Sequence, residues 1–217
     1  MIKSYQPNAM IINNTGLEKQ GVVSHPLIDS VTYERGKPAR VNNAERPIAG
    51  EMCESLTDHW GYTEDDLTFK SVSELIDILT ECRANNCNLL LNVGPHANGT
   101  ISLYEKAKME YLGKWIADNK NFIYDIKKTD ITAENAVIVK DENHYYAIIS
   151  DTPMVRSVLL DGVIHKTRVK INTGKHITNA YYLDNNQEQT FENNVFYAEP
   201  YEYGKSYHTR ILQFDLN

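Results

Sequence analysis

The sequence has too few cysteines for a disulfide framework: three in 217 residues, an odd number. Reduced thiols are the default reading of such usage. Cys82 and Cys87 lack the close pairing of a zinc knuckle, and no histidine pair completes one, so neither a metal nor another cofactor is expected. The chain has no apolar run of about 18 residues, so no membrane span is expected. The N-terminal MIKSYQPNAMIINN has neither an apolar core nor a small-residue cleavage site. No signal peptide is read there, and a cytoplasmic location is expected. The sequons at Asn13 and Asn98 carry no meaning outside a secretory route. Positive charge is also short, with 22 Lys and Arg against 29 Asp and Glu, a net charge of -7. That deficit argues against nucleic acid or an anionic membrane as partner. No repeat of fixed period and no low-complexity tract is present.

What remains is an ordinary globular composition, 41% apolar and 24% charged, with length for one large domain or two small ones. Fourteen tyrosines suit β-sheets and sugar-binding surfaces alike, sheet packing being the commoner reason. Met10–Ile12 reads as a short strand ending at Asn13 and Asn14. A long polar segment follows, to about Tyr62. Its density of acids and aromatics (Asp29, Glu34, Glu45, Glu51, Glu54, Asp58, His59, Trp60 and Tyr62) fits either a solvated surface or a site. Ser71 and Glu74 have the spacing of a capping box, and Val72, Leu75, Ile76 and Leu79 fall on one helical face. Asn88–Val93 reads as a strand, and its unbroken apolar run Leu89-Leu90-Leu91 fits a parallel strand buried on both faces. Ser102 and Glu105 repeat the capping spacing and open a second helix. Strand, loop and helix in alternation predict a parallel sheet or barrel. After about Asp130 the pattern changes. NAVIVKD, HYYAIISD, SVLLDGV, RVKINTG, NAYYLD and RILQFDL are short runs divided by Asp, Asn and Gly, the pattern of an antiparallel β-sandwich. The expected fold is therefore α/β plus all-β, in two domains, 1–125 and 130–217.

Three stretches occur in order: GEMCESLTDHWGY, LLLNVGPHANGTI and LGKWIADNKNFIYD. Together they resemble the end of the catalytic barrel of α-L-fucosidases, glycoside hydrolase family 29. The matching positions are Glu51, Cys53, Trp60, Gly61 and Tyr62, then Asn88–Pro95, Gly99 and Ile101, then Gly113, Trp115, Ile123 and Tyr124. Gly50 departs from a common Trp, and Asn98 from a common Asp. The resemblance covers about residues 7–125. It implies the C-terminal portion of a (β/α)8 TIM barrel followed by a β-sandwich, with Asn92 and the Gly94-Pro95 turn at the C-terminal rim of a late strand, where barrel enzymes carry their chemistry. Asn92 itself reads as architectural.

The family hydrolyses fucosides with retention, using an aspartate nucleophile and a glutamate acid/base about 5–5.5 Å apart. The nucleophile belongs to an earlier strand in a Trp-x-Asp context, which this sequence lacks. PNAMIINN resembles the next strand, with Asn14, Thr15 and Gly16 in place of the Asp-Arg-Trp of many relatives. DSVTYE resembles the stretch that bears the acid/base in some members, which points to Glu34. Glu45, in NNAERP, is the alternative. Either could instead be a loop carboxylate paired with Arg35 or Arg46. Burial raises a carboxyl pKa and suits it to protonate a leaving oxygen. Trp60 is assigned to the apolar wall under the sugar, or else to the core. His59 and Glu51 are assigned to the substrate; His25 is a weaker candidate. The expected partners are a fucosylated glycan or fucoside and an upstream polypeptide carrying the first half of the barrel, without which the chain is expected to be inactive. The competing expectation is a catalytically dead remnant that serves as a carbohydrate-binding or structural module.

Overall fold

The computed structural model describes residues 1–14, 20–39, 41, 46–155 and 164–217. Their contacts group into two compact units, 1–69 with 81–102, and 70–80 with 103–217. The helices after residue 102 thus group with the sandwich. The SVLLDGV run lies mostly outside the described residues.

The first unit opens with a single helical turn, α1 (Ile2–Tyr5), and is built on four strands: β1 (Ile12–Asn13), β2 (Ser30–Glu34), β3 (Ala49–Ser55) and β4 (Cys87–Asn92). They form one sheet in that order, parallel throughout. Two of these strands lie inside the stretch that reads as a long polar segment. The reason is visible in the register. Thr32 pairs with Glu51 and Glu51 in turn with Asn88, and Glu34 with Cys53 and Cys53 with Leu90, so these six share one face. The opposite face carries Val31, Tyr33, Gly50, Met52, Cys87 and Leu89. Helix α2 (Val72–Ala84) lies on that second side at its C-terminal end, where Cys82 Sγ is 3.7 Å from Met52 Sδ. Polar residues on one face and apolar ones on the other hide each strand from a search for apolar runs. Gly50 has a packing reason: a Cβ there would sit 2.4 Å from Cys87 Sγ. β4 is parallel, as its apolar run predicts, but Leu90 is 46% exposed among the described residues. The expected burial on both faces is therefore not met there.

The second unit holds the first turns of α2, then α3 (Leu103–Asp118), α4 (Lys120–Tyr124) and eight strands: β5 (Lys127–Lys128), β6 (Thr132–Glu134), β7 (Val137–Lys140), β8 (Tyr145–Ile149), β9 (Thr167–Asn172), β10 (Ile177–Tyr182), β11 (Val195–Ala198) and β12 (Arg210–Leu216). The capping box of α2 forms as its spacing predicts. Ser71 N–H donates to Glu74 Oε2 at 2.6 Å, and Glu74 N–H to Ser71 Oγ at 3.2 Å. The strands make an antiparallel five-stranded sheet, β10-β12-β8-β7-β5, and an antiparallel three-stranded sheet, β11-β9-β6. Their shared core takes Ile138, Ile149, Tyr182, Leu212 and Phe214 from the larger sheet and Val169, Ile171 and Phe196 from the smaller, the arrangement of a sandwich. Trp115 and Phe122 of the helices are buried, and the Phe122 ring meets Tyr146 edge-on at 6.0 Å. Arg210 is buried against Asp184 (Nε to Oδ1 3.0 Å, Nη2 to Oδ2 3.2 Å) and lies 3.5 Å over the Tyr182 ring. Among the described residues no helix is long and apolar enough to cross a membrane.

Candidate active site

β2 ends at Glu34, half-buried at the C-terminal end of a parallel strand. Arg35 follows at φ +50°, the left-handed region a non-glycine residue seldom enters. That turn keeps the ladder going, with Arg35 N–H donating to Cys53 O at 3.0 Å. It also carries the guanidinium across the end of β3. There Nη2 donates to Ser55 Oγ at 2.9 Å and to the Asp58 carbonyl, and the group stands 4.7 Å over the Trp60 ring. Its Nε is 4.0 Å from Glu54 Oε1. Arg46 is also occupied, holding Asp29 Oδ1 at 3.0 Å and the Pro26 and Ile28 carbonyls. Among the described residues, no hydrogen bond or ion pair reaches the Glu34 carboxylate. The alternative of a carboxylate paired with Arg35 or Arg46 therefore does not describe Glu34. Glu45 lies outside the described residues, as do Thr15 and Gly16.

Glu51 sits two residues before Cys53 on β3, so both face the same way as Glu34. The electrostatics agree: burial pushes the Cys53 thiol up, and the charges of Glu51 and then Glu34 push it further. Two carboxylates therefore flank one half-exposed thiol.

His59 and Trp60 lie on the loop after β3. His59 Nδ1 is 2.8 Å from Asp66 Oδ2. The Thr68 hydroxyl and N–H, and after them His59, hold the Asp66 carboxyl far below the usual carboxylate range. His59 is thus oriented by a fixed anion, with Nε2 unpartnered among the described residues. Trp60 is 39% exposed and belongs to the surface of the site, clamped by Arg35. Asn92, at the end of β4, donates from Nδ2 to the Trp60 carbonyl. Leu56 N–H donates to Asn92 O at 3.3 Å. Asn92 is architectural, as its sequence context suggests. Gly94 lets the strand exit pass against the Trp60 loop, since a Cβ there would come within 2.7–2.9 Å of the backbone of Gly61 and Tyr62. Tyr62 then packs on His96, ring centroids 4.0 Å apart. His25, by contrast, accepts from Leu27 N–H within its own turn.

Glu34, Glu51, His59 and Trp60 are thus carried by two neighbouring strands and the loop that leaves the second. Sequence reading missed the part of Arg35, whose fixed guanidinium orders the loop bearing Trp60. A left-handed arginine gives no sequence signal. Among the described residues no three His, Cys, Asp or Glu side chains cluster as a metal would need. The groups gathered here are two carboxyls that can exchange protons, a partly exposed indole and an imidazole.

Residues 1–121 match the family model described as Alpha-L-fucosidase. Tissue alpha-L-fucosidase of Rattus norvegicus is 29% identical over 182 residues, 78% of this chain and 38% of that protein. Plasma alpha-L-fucosidase of Homo sapiens is 32% identical over 82 residues, 36% of this chain and 18% of the other. Among solved structures, alpha-L-fucosidase isoenzyme 1 from Paenibacillus thiaminolyticus matches with a TM-score of 0.75 at 25% identity, covering 100% of this chain and 52% of that one. Thermotoga maritima alpha-fucosidase in complex with a mechanism-based inhibitor matches with a TM-score of 0.68 at 19% identity, covering 98% and 46%, a likeness of fold. The chain spans about half the length of these solved structures and 38% or less of these two curated relatives.

Proposed function

The chain belongs to the α-L-fucosidase family, and from that premise we propose that its parallel sheet is the C-terminal part of a (β/α)8 barrel and that Glu34 is the acid/base for retaining hydrolysis of terminal α-L-fucosides in glycans. The observation that carries this reading is the place of Glu34. It stands at the C-terminal end of a parallel strand, where barrel enzymes put their chemistry, with Glu51 on the same face and both nearby arginines held by other groups. In the first step the Glu34 carboxyl gives its proton to the glycosidic oxygen as the bond to the sugar breaks. In the second, the same group, now a carboxylate, takes a proton from the water that releases the sugar. Trp60 supplies the apolar wall, with Arg35 fixing its loop. Glu51 and His59 Nε2 take hydroxyls of the sugar. The nucleophile is an aspartate on an earlier strand of the barrel, outside these 217 residues.

The experiment is release of fucose from a fucosylated disaccharide by the purified chain, alone and mixed with the first barrel half of a related α-L-fucosidase. The chain alone is expected to be silent and the mixture active, with Glu34→Gln abolishing turnover and Glu45→Gln leaving most of it. Loss with Glu45→Gln and retention with Glu34→Gln would transfer the role to Glu45. A mixture that binds fucose without any turnover would favour the inert carbohydrate-binding reading, which the missing Trp-x-Asp element motivates.

A further inference from the structure

The sandwich unit carries a cleft of about 520 Å³ between the Gln187–Glu192 connection and the outer face of β11. Along β11 the side chains alternate. Phe196 enters the core, and Tyr197 turns outward, 57% exposed. Phe191 packs on Phe196 with ring centroids 4.6 Å apart, so the connection is pinned to the core from below. Its backbone is tied as well. Gln189 N–H donates to Ala180 O at 2.7 Å, and Tyr182 N–H to Gln187 O at 3.1 Å. Glu192 and Val195 exchange hydrogen bonds at 2.9 and 3.0 Å. The cleft is thus built before any ligand arrives, which cuts the ordering cost of binding.

Its polar groups have one character. Glu199 is already held, by Lys166 Nζ at 2.6 Å and Gln187 Nε2 at 3.2 Å. That pairing neutralises the cation of the cleft. Gln189 donates one of its two amide N–H groups to the Glu188 carbonyl. What faces outward unpaired, among the described residues, is the carboxylates of Glu188 and Glu192, the Gln189 carbonyl oxygen, and the hydroxyls of Thr190 and Tyr197. The set is rich in acceptors and net negative, beside an exposed aromatic ring. A ligand that fits must bring hydroxyl donors, an apolar face for the ring, and no negative charge.

We propose that this cleft is a carbohydrate-binding site for a neutral pyranose residue of a glycan, with Tyr197 as the platform for its C–H face and Glu188, Gln189 and Glu192 as acceptors for its hydroxyls. The site belongs to the sandwich unit and is independent of the assignment of Glu34. A pyranose carries axial hydrogens on one face and hydroxyls around its rim, which matches an aromatic floor ringed by acceptors. Uronates, sialylated sugars and sulfated sugars bring charge of the wrong sign.

The test is a chemical-shift titration of the ¹⁵N-labelled full chain with methyl β-D-galactopyranoside and with L-fucose as neutral probes. D-glucuronate serves as the anionic control, and a lysine-rich peptide as the competing cationic class. Saturable shifts at amides 187–199 are expected from at least one neutral probe and from neither charged one. Tyr197→Ala should weaken that binding about tenfold or more. Tyr197→Phe should keep it, and Glu34→Gln should leave it unchanged. Tyr197 is exposed, so these variants are expected to fold, and unaltered shifts elsewhere in the spectrum would verify that. No saturable shift at 187–199, equal binding of glucuronate, preference for the basic peptide, or indifference to Tyr197→Ala would each overturn the proposal. Shifts confined to residues 30–62 would mean that sugar binds only at the candidate active site.

Discussion

At the scale of single residues, the site rests on the adjacency of Glu34, Cys53 and Glu51, and Cys53 reports on it without any catalysis. Burial raises its thiol pKa first, then Glu51, then Glu34. Removing either charge lowers that pKa and increases the thiolate, the form that reacts. Iodoacetamide labelling of Cys53 near pH 8 should therefore speed up severalfold in Glu51→Gln, and less in Glu34→Gln. Cys82 and Cys87 should stay silent, because burial pushes them up to about 12 and about 11. Labelling rates that ignore both substitutions would separate the carboxylates from the thiol. A second residue sets a pH dependence. Asp77 accepts from Thr209 Oγ1 at 2.6 Å, yet burial raises its pKa above the ordinary aspartate value of 3.8, outweighing that bond. A raised carboxyl pKa favours folding while the group is protonated, so stability falls as pH rises through the range above 3.8. Asp77→Asn keeps the acceptor and removes the charge. Its melting temperature should exceed wild type at pH 7, and the gain should shrink to nothing as the pH drops toward 3.5. A gain that is constant with pH would contradict this account.

At the scale of elements, the strand exits hold the site together, and Gly94 is where two of them touch. A methyl there meets the Gly61 and Tyr62 backbone, so Gly94→Ala is expected to cost about 1–3 kcal/mol and to loosen the Trp60 loop. Denaturant unfolding gives the first, and a change in Trp60 fluorescence quenching the second. Unchanged stability and quenching would show that the exits do not meet. The same elements show why the sequence was only partly legible. α2 was read correctly because its apolar face and capping box are local signals. β4 was legible from Leu89-Leu90-Leu91. β2 and β3 were not, because one face bears Thr32, Glu34, Glu51 and Cys53, and a polar face erases the apolar pattern of a parallel strand. β6 and β11 were missed as well, being only three and four residues long. The assignments of Glu34, Trp60 and Glu51 rest on the resemblance, and that of His59 on its place beside Trp60. Arg35 was not found, since its place follows from a backbone angle.

At the scale of the whole molecule, two expectations follow from how the contacts group. Trp115 and Phe122 are buried within the same unit as the strands after residue 126. Residues 103–217 expressed alone should therefore melt cooperatively and at a higher temperature than residues 130–217, which lose those side chains. Equal melting temperatures would mean that α3 and α4 contribute nothing to the sandwich. In the parallel sheet, β1 and β4 are the outer strands among the described residues, with Met10, Ile12 and Leu90 exposed. Open edges recruit other chains, so the chain should self-associate in sedimentation, and the first barrel half should suppress it. A monodisperse monomer would contradict the barrel-half reading. The central claim, that Glu34 delivers the proton, is tested most directly by leaving-group dependence in the complemented chain. A glycan leaving group needs protonation and 4-nitrophenolate hardly does. Glu34→Gln should lower kcat/KM, which reports the bond-breaking first step alone, by about 10²–10⁴-fold for a fucosylated disaccharide and far less for the 4-nitrophenyl fucoside. Equal loss on both substrates, or loss on neither, would contradict the assignment of Glu34.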